Sequence, residues 1–172
     1  MTLYDAFVPS CLQILHAVLG LLDKAKDHAD AQQLPIEQLI HTRLAPDMYD
    51  FAYQVKSCAV HSIGAIRGIQ NGNFSPDMTP PPEGLDDLKA KIEGAIQALE
   101  ALSAADLEAL GEKPMTFTIG DKLLVNFVGK DFLLSFAQPN FYFHASMVYA
   151  ILRMSGVGVG KRDYLGDLRK LP

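Results

Sequence analysis

The chain contains no tryptophan and only two cysteines, Cys11 and Cys58, in 172 residues. Two distant thiols do not make a disulfide framework. They read as free thiols in a reducing compartment, which points to the cytoplasm. No basic block occurs: 15 Lys and Arg stand against 20 Asp and Glu, for a net charge of −5. Binding to nucleic acid or to an anionic membrane surface therefore has no electrostatic basis. No uninterrupted apolar run reaches bilayer length, since Leu12 to Leu22 is broken by polar residues. The start, Met1-Thr2-Leu3-Tyr4-Asp5, lacks the basic n-region of a signal peptide. A Gly-x-Ser-x-Gly nucleophile elbow is absent. The glycine-rich stretch Gly156-Val157-Gly158-Val159-Gly160-Lys161-Arg162 fails as a phosphate loop. Ser155 stands where its first glycine belongs and Arg162 where Ser or Thr belongs, and the stretch follows a helix where a strand is required.

What remains is an ordinary globular composition, 49% apolar and 20% charged. The length suits one domain over residues 1–172 with a sizeable core. Tyr4, Val8, Cys11, Leu15, Val18 and Leu22 recur every three or four residues, so a long helix is expected from Thr2 to about His28. Thr2 and Asp5 have capping-box spacing, and Pro9 should kink the first turns or delay the start. Residues 29–35 read as a polar connector and Ile36 to Arg43 as a short helix. Pro46 and Asp47 are expected to open a second long helix, with Met48, Phe51, Val55, Cys58, Ser62, Ile66 and Ile69 on its apolar face. Asn71-Gly72-Asn73 should stop it. The four prolines between Asn73 and Glu83 exclude helix there.

Leu85, Leu88, Ile92, Ile96, Leu99 and Leu102 mark a third helix over Asp86 to Ser103. Met115 to Ile119, the Gly120-Asp121 turn and Leu123 to Val128 read as a β-hairpin. Lys130 to Ala137 looks helical, Pro139 interrupts it, and the pattern resumes to Ser155. Four amphipathic helices joined by long connections predict a mainly α fold: a four-helix bundle with a small hairpin before the last helix.

Among the five histidines, His16, His28, His41, His61 and His144, only His144 lies squarely on an apolar stripe, with Asn140, Phe141, Met147, Val148 and Ile151. It is therefore expected to be buried. His61 falls about 120° from the centre of its stripe on a regular helical count. His28 and His41 are expected to be exposed. A helix-borne metal site usually repeats a ligand at i+3 or i+4. The positions four away from His144 are Val148 and Asn140, neither a good ligand. Cys58 and His61 neighbour each other on one helix and, with His144, make a candidate three-ligand zinc set. Gln54 sits on the shoulder of its stripe, where its amide can face His144 and Asn140 across the bundle. This supports two readings: a buried network that fixes helix register, or a small-molecule pocket formed by Gln54, Asn140, Tyr142 and His144. Phe51, Tyr53, Phe141, Tyr142 and Phe143 would supply the pocket's walls.

Four segments carry a resemblance: Arg43-Leu44-Ala45-Pro46-Asp47-Met48, Pro139-Asn140-Phe141-Tyr142-Phe143-His144, Tyr149-Ala150-Ile151-Leu152-Arg153, and Gly160-Lys161-Arg162-Asp163-Tyr164-Leu165-Gly166. They resemble a bacterial domain-of-unknown-function family grouped with the DinB/YfiT-like metalloenzymes. That resemblance implies a four-helix bundle with a long crossover, often a homodimer. Metal-binding members of the superfamily carry one histidine on the second helix and a His-x-x-x-His pair on the fourth, and several are thiol-cofactor-dependent transferases or hydrolases. Here His144 fits a fourth-helix position, and its partner is replaced by Val148 or Asn140 depending on register. The second-helix histidine maps to Gln54 or His61. The expectation is a bundle that binds a small molecule between its helices beside a degenerate metal position. The alternative is a metal-dependent transferase or hydrolase that uses His61 and His144 on a divalent ion, zinc or nickel. The aromatic stretch Phe141 to Phe143 is the expected dimer surface.

Overall fold

The structure, a computed structural model, describes residues 1–120 and 122–171. Asp121, half of the expected turn pair, lies outside the described residues.

Helix α1 (Leu3–Gln32) starts where the sequence places it, because the Thr2–Asp5 capping box closes. The Thr2 hydroxyl accepts from the Asp5 amide at 3.0 Å, and the Asp5 carboxylate accepts from the Thr2 amide at 3.1 Å. Pro9 is carried inside the helix and does not delay it. The helix runs four residues beyond His28 and ends at Gln33, which adopts a left-handed conformation (φ 54°). The connector is correspondingly shorter. By length and composition alone α1 would pass for a membrane span, but half of its most apolar window is buried against the other helices.

After the short helix α2 (Ile36–Ile40), Pro46 and Asp47 form a turn and do not open a helix. Helix α3 (Phe51–Ala59) begins five residues later because Asp50 is the stronger cap: its carboxylate accepts from the Tyr53 amide at 3.0 Å. Arg43 holds the preceding loop, donating to the Met48 carbonyl at 2.6 Å and pairing with Asp50 at 3.6 Å. Helix α3 passes without a break through a π-helical stretch (Val60–Gly64) into α4 (Ala65–Asn71). Gly72, left-handed at φ 76°, ends it as expected.

Asn73–Phe74 forms a two-residue strand, β1, absent from the sequence-based reading. The proline-rich crossover then leads to α5 (Leu85–Glu100) and the short α6 (Ala104–Glu108). Strands β2 (Pro114–Ile119) and β3 (Lys122–Val128) form the antiparallel hairpin, with a register shift between Phe117 and Thr118. Strand β1 pairs parallel to β2, giving a three-stranded sheet in the order β1-β2-β3.

Helix α7 (Gly129–Asp131), a second π-helical stretch (Phe132–Ala137) and α8 (Gln138–Met154) follow as one continuous rod. Pro139 does not interrupt it. A proline inside a helix removes a donor and crowds the carbonyl one turn back. Here the wider π turn lies over that carbonyl, and the Asn140 side chain donates to the Phe136 carbonyl at 2.8 Å. Gly156 (φ 85°) closes α8, and α9 (Lys161–Leu165) packs back on α1.

The four long elements form the bundle. Its principal packing pairs are α1 with α5, α5 with α3, α3 with α8, and α8 with α1. Consecutive elements α1 and α3 therefore sit diagonally, as do α5 and α8, which requires the long crossovers. A single core fills the centre, with Phe7, Leu15, Phe51, Ile66, Leu88, Phe132 and Phe141 fully buried.

Candidate functional site

Gln54 on α3, His61 in the first π stretch and His144 on α8 are polar groups that the α3–α8 packing brings together. Gln54 is 2% exposed. Its Nε2 donates to the Tyr49 carbonyl at 3.1 Å, which turns Oε1 toward His144 Nδ1 at 2.8 Å. An amide oxygen only accepts, so Nδ1 of His144 carries the hydrogen and Nε2 presents a bare lone pair. The sequence-based pairing of Gln54 with His144 across the bundle is thus present as a direct hydrogen bond. His144 itself is half-buried, less covered than its place on the apolar stripe implies.

His61 stands behind it. The two imidazoles stack with centroids 5.3 Å apart and planes 16° from parallel. His61 is 7% exposed, and its Nδ1 has no hydrogen-bond partner. A regular helical count leaves this ring at the edge of the apolar face. Two features cover it: the π turn, whose wider bonding lags that count, and the aromatic lid made by Phe74 of β1 at 5.7 Å and Phe136 of the second π stretch at 5.9 Å. Burial pushes the His61 imidazolium down to about pKa 3, helped by the neighbouring His144, and burial lowers His144 to about 4. Both rings are neutral at physiological pH. Neither ring offers a positive charge.

An aromatic rim surrounds His144. The Tyr53 ring meets it edge-on at 6.3 Å, and Tyr49 stacks on Tyr53 at 3.8 Å. Phe143 makes a T-shaped contact at 5.4 Å, and the Tyr53 hydroxyl lies 3.9 Å from the Met78 sulfur. Beneath Tyr53 lies a residue that the sequence did not single out. Lys56 is 1% exposed, and its ammonium donates to the Thr79 carbonyl at 2.5 Å and the Thr79 hydroxyl at 3.2 Å. It also pairs with Asp77 at 3.0 Å. The Asp77 carboxyl is held below its usual range: partial burial opposes this, and hydrogen bonds from Thr79 and Lys56 outweigh it. Lys56 thereby ties the proline-rich crossover to α3. Its only sequence signal was a lysine close to the apolar stripe, which ordinarily means a solvated stem.

Other expected members of the site lie elsewhere. Asn140 bonds back to its own helix and does not face His144. Tyr142 points to Ser10 and Cys11 on α1, and Phe51 and Phe141 are closed inside the core. Of the expected walls, Tyr53 and Phe143 reach the rim. Cys58 is fully buried, with its thiol donating to the Gln54 carbonyl at 3.4 Å, and burial pushes the thiol pKa well up. Cys11 and Cys58 are both free. His16 and His41 are exposed, and His28 is half-buried. The clefts between the first π stretch and α5 and around α9 are lined by neither His61 nor His144.

A family model described as a domain of unknown function, DUF1993, matches residues 3–165. The chain belongs to the DUF1993 family. The crystal structure of a DinB family member protein from Shewanella denitrificans matches with a TM-score of 0.80 and 29% identity, covering 99% of this chain and 96% of that one. No curated protein matches. The DUF1993 chain is thus a mainly helical, DinB-like bundle with a small sheet.

The metal position implied by the DinB/YfiT-like resemblance can be tested on the donors present. A catalytic zinc takes three protein ligands. Among the described residues no three His, Cys, Asp or Glu side chains gather to hold an ion. The Cys58–His61–His144 set is therefore not assembled, and His61 with His144 supplies two nitrogens without a third donor. The residues do not fit a resident catalytic zinc centre.

Proposed function

We propose that this DUF1993 protein binds a small molecule at His144, between α3 and α8, beside a degenerate metal position. One observation carries the reading. Gln54 uses up Nδ1–H of a neutral imidazole and leaves Nε2 as an acceptor at a partly buried ring with an aromatic rim. A purely structural histidine would have both nitrogens satisfied inside the core. The buried, unpartnered Nδ1 of His61 directly behind it supports the same reading, since such groups are costly to retain without a use.

The alternative, a metal-dependent transferase or hydrolase using His61 and His144, draws on the 5.3 Å ring separation. The missing third donor weighs against it.

Metal analysis of protein purified without a histidine tag separates the two. Metal-free protein that nonetheless shows ligand-induced shifts at the His144 ring supports the binder. Stoichiometric zinc or nickel that disappears in His144→Ala would replace it with the enzyme reading. We further propose that the protein is cytoplasmic and forms homodimers. Phe143 is the one member of the Phe141 to Phe143 stretch left exposed for that contact, and sedimentation velocity on Phe143→Ser tests it.

A further inference from the structure

We propose that the His144 site takes a planar aromatic ligand that donates an N–H or O–H to Nε2 and carries no negative charge. This rests on the binding reading above and names the class of ligand.

The donor requirement follows from the hydrogen-bond inventory. Gln54 gives one of its two amide hydrogens to the Tyr49 carbonyl and its oxygen to His144, so the amide anchors the ring. Nε2 of His144 is an acceptor only. An aliphatic ligand covering it would leave a desolvated acceptor without a donor, whereas an N–H or O–H satisfies it.

The charge requirement follows from the cations. Two cations lie beside the rim: Arg43, already held by the Met48 carbonyl and Asp50, and Lys56, whose ammonium is 5.5 Å from the centroid of Tyr53. It is almost fully buried and already holds Asp77 and both oxygens of Thr79. A carboxylate or phosphate at the rim would compete with Asp77 for an ammonium that cannot reach solvent. The imidazoles bring no charge.

The planar requirement follows from the rim. Tyr49 is 48% exposed, Phe143 51% and Met78 62%. They connect through Tyr53 and His144 in one chain of ring and sulfur contacts. Large aromatic faces left half in solvent favour flat partners by stacking and edge contacts, and a methionine adapts its thioether to their outline.

Three planar probes test the donor and charge requirements: indole, which only donates; 1-methylindole, which keeps the ring system with a methyl in place of the N–H hydrogen; and indole-3-carboxylate, which adds a negative charge. Affinities are read by titration against the ¹⁵N signals of the His144 ring and the backbone amides of residues 49–54 and 140–147. Indole should bind about tenfold more tightly than 1-methylindole. It should shift Nε2 upfield, as hydrogen bonding to a bare ring nitrogen does, and bind more tightly than indole-3-carboxylate.

In His144→Phe, which keeps an aromatic ring and removes the acceptor, the preference for indole should vanish. Should that variant fail to fold by circular dichroism, Gln54→Leu serves instead. It releases the tautomer and should shrink the preference at least severalfold. Equal affinities for indole and 1-methylindole at these residues would overturn the donor class and leave the binding reading standing. Tighter binding of the carboxylate would overturn the charge requirement. No shift at these residues with any probe at millimolar concentration would overturn both this inference and the reading beneath it.

Discussion

Replacing His61 with phenylalanine tests how the buried histidine pair governs acid stability. His61 titrates near 6.5 when unfolded and near 3 when folded, because burial penalises its charged form. The folded pKa is the lower one, so its contribution is complete above about pH 6.5. It is lost as pH falls from there toward 3, where the unfolded chain takes up a proton that the folded chain refuses. Each such proton costs about 1.4 kcal/mol per pH unit. Between pH 7 and 5 His61 should therefore remove about 2 kcal/mol of stability. His144, lowered to about 4, should remove nearly as much over the same interval. In His61→Phe the first contribution disappears and the second stays. The pH-dependent loss specific to this pair should fall from about 4 to about 2 kcal/mol.

At pH 7 the variant should lie within about 1 kcal/mol of the parent, or above it. Phenylalanine suits the ring environment of Phe74 and Phe136 and removes the unpartnered Nδ1. Urea unfolding at pH 7, 6 and 5, followed by circular dichroism, measures the difference between the two proteins and cancels the carboxylates common to both. Identical pH slopes for parent and variant would refute the reasoning, because His61 would then be protonated as readily in the folded protein as in the unfolded chain.

Other perturbations have equally definite outcomes. Lys56→Ala leaves Asp77 and the Thr79 carbonyl without their cation. Because Asp77 is about one-third exposed, the cost should be about 1–3 kcal/mol, below that of a fully buried pair. Limited proteolysis should then cut within residues 75–83, and an unchanged cleavage pattern would show that Lys56 does not hold the crossover. Gly129→Ala places a methyl 2.1 Å from the Leu110 carbonyl oxygen and 3.0 Å from Ile69. Since backbone cannot yield there, a loss above roughly 2 kcal/mol is expected in chemical unfolding. Ile66→Ala and Leu99→Ala, both at fully buried positions, should each cost roughly 2–5 kcal/mol. A loss under about 1 kcal/mol would mean that these faces do not form the core.

The helical bundle and its apolar faces were legible because each long helix keeps its stripe over several turns. Val8, Cys11, Leu15, Phe51, Val55, Ile66, Leu88, Ile92 and Leu99 all lie inside as the period required. Boundaries were less legible where two signals competed. Pro46 is a good first-turn residue, but Asp50 is a cap with a side chain in place, and the cap decides. Pro139 read as an interruption because the sequence does not announce a π turn that accommodates it.

The same blindness displaced His61. Its burial depends on the first π stretch and on β1, a two-residue strand that pairs with a segment over forty residues away. Gln54 and His144 could be paired from helix geometry alone. Lys56 could not, because its partners sit in a proline-rich crossover whose path no local pattern specifies.

The diagonal placement of successive helices bears on the order in which the protein is made. α1, α3 and α5 leave the ribosome before α8 and can already pack as α1 on α5 and α5 on α3. The last seat, against both α1 and α3, stays open until more than 150 residues have been translated. Gln54 and His61 are therefore present early in a three-membered intermediate whose apolar trough awaits closure, and His144 arrives with the piece that closes it. Chaperone dependence during synthesis, and the aggregation of C-terminal truncations, should both track that missing fourth side.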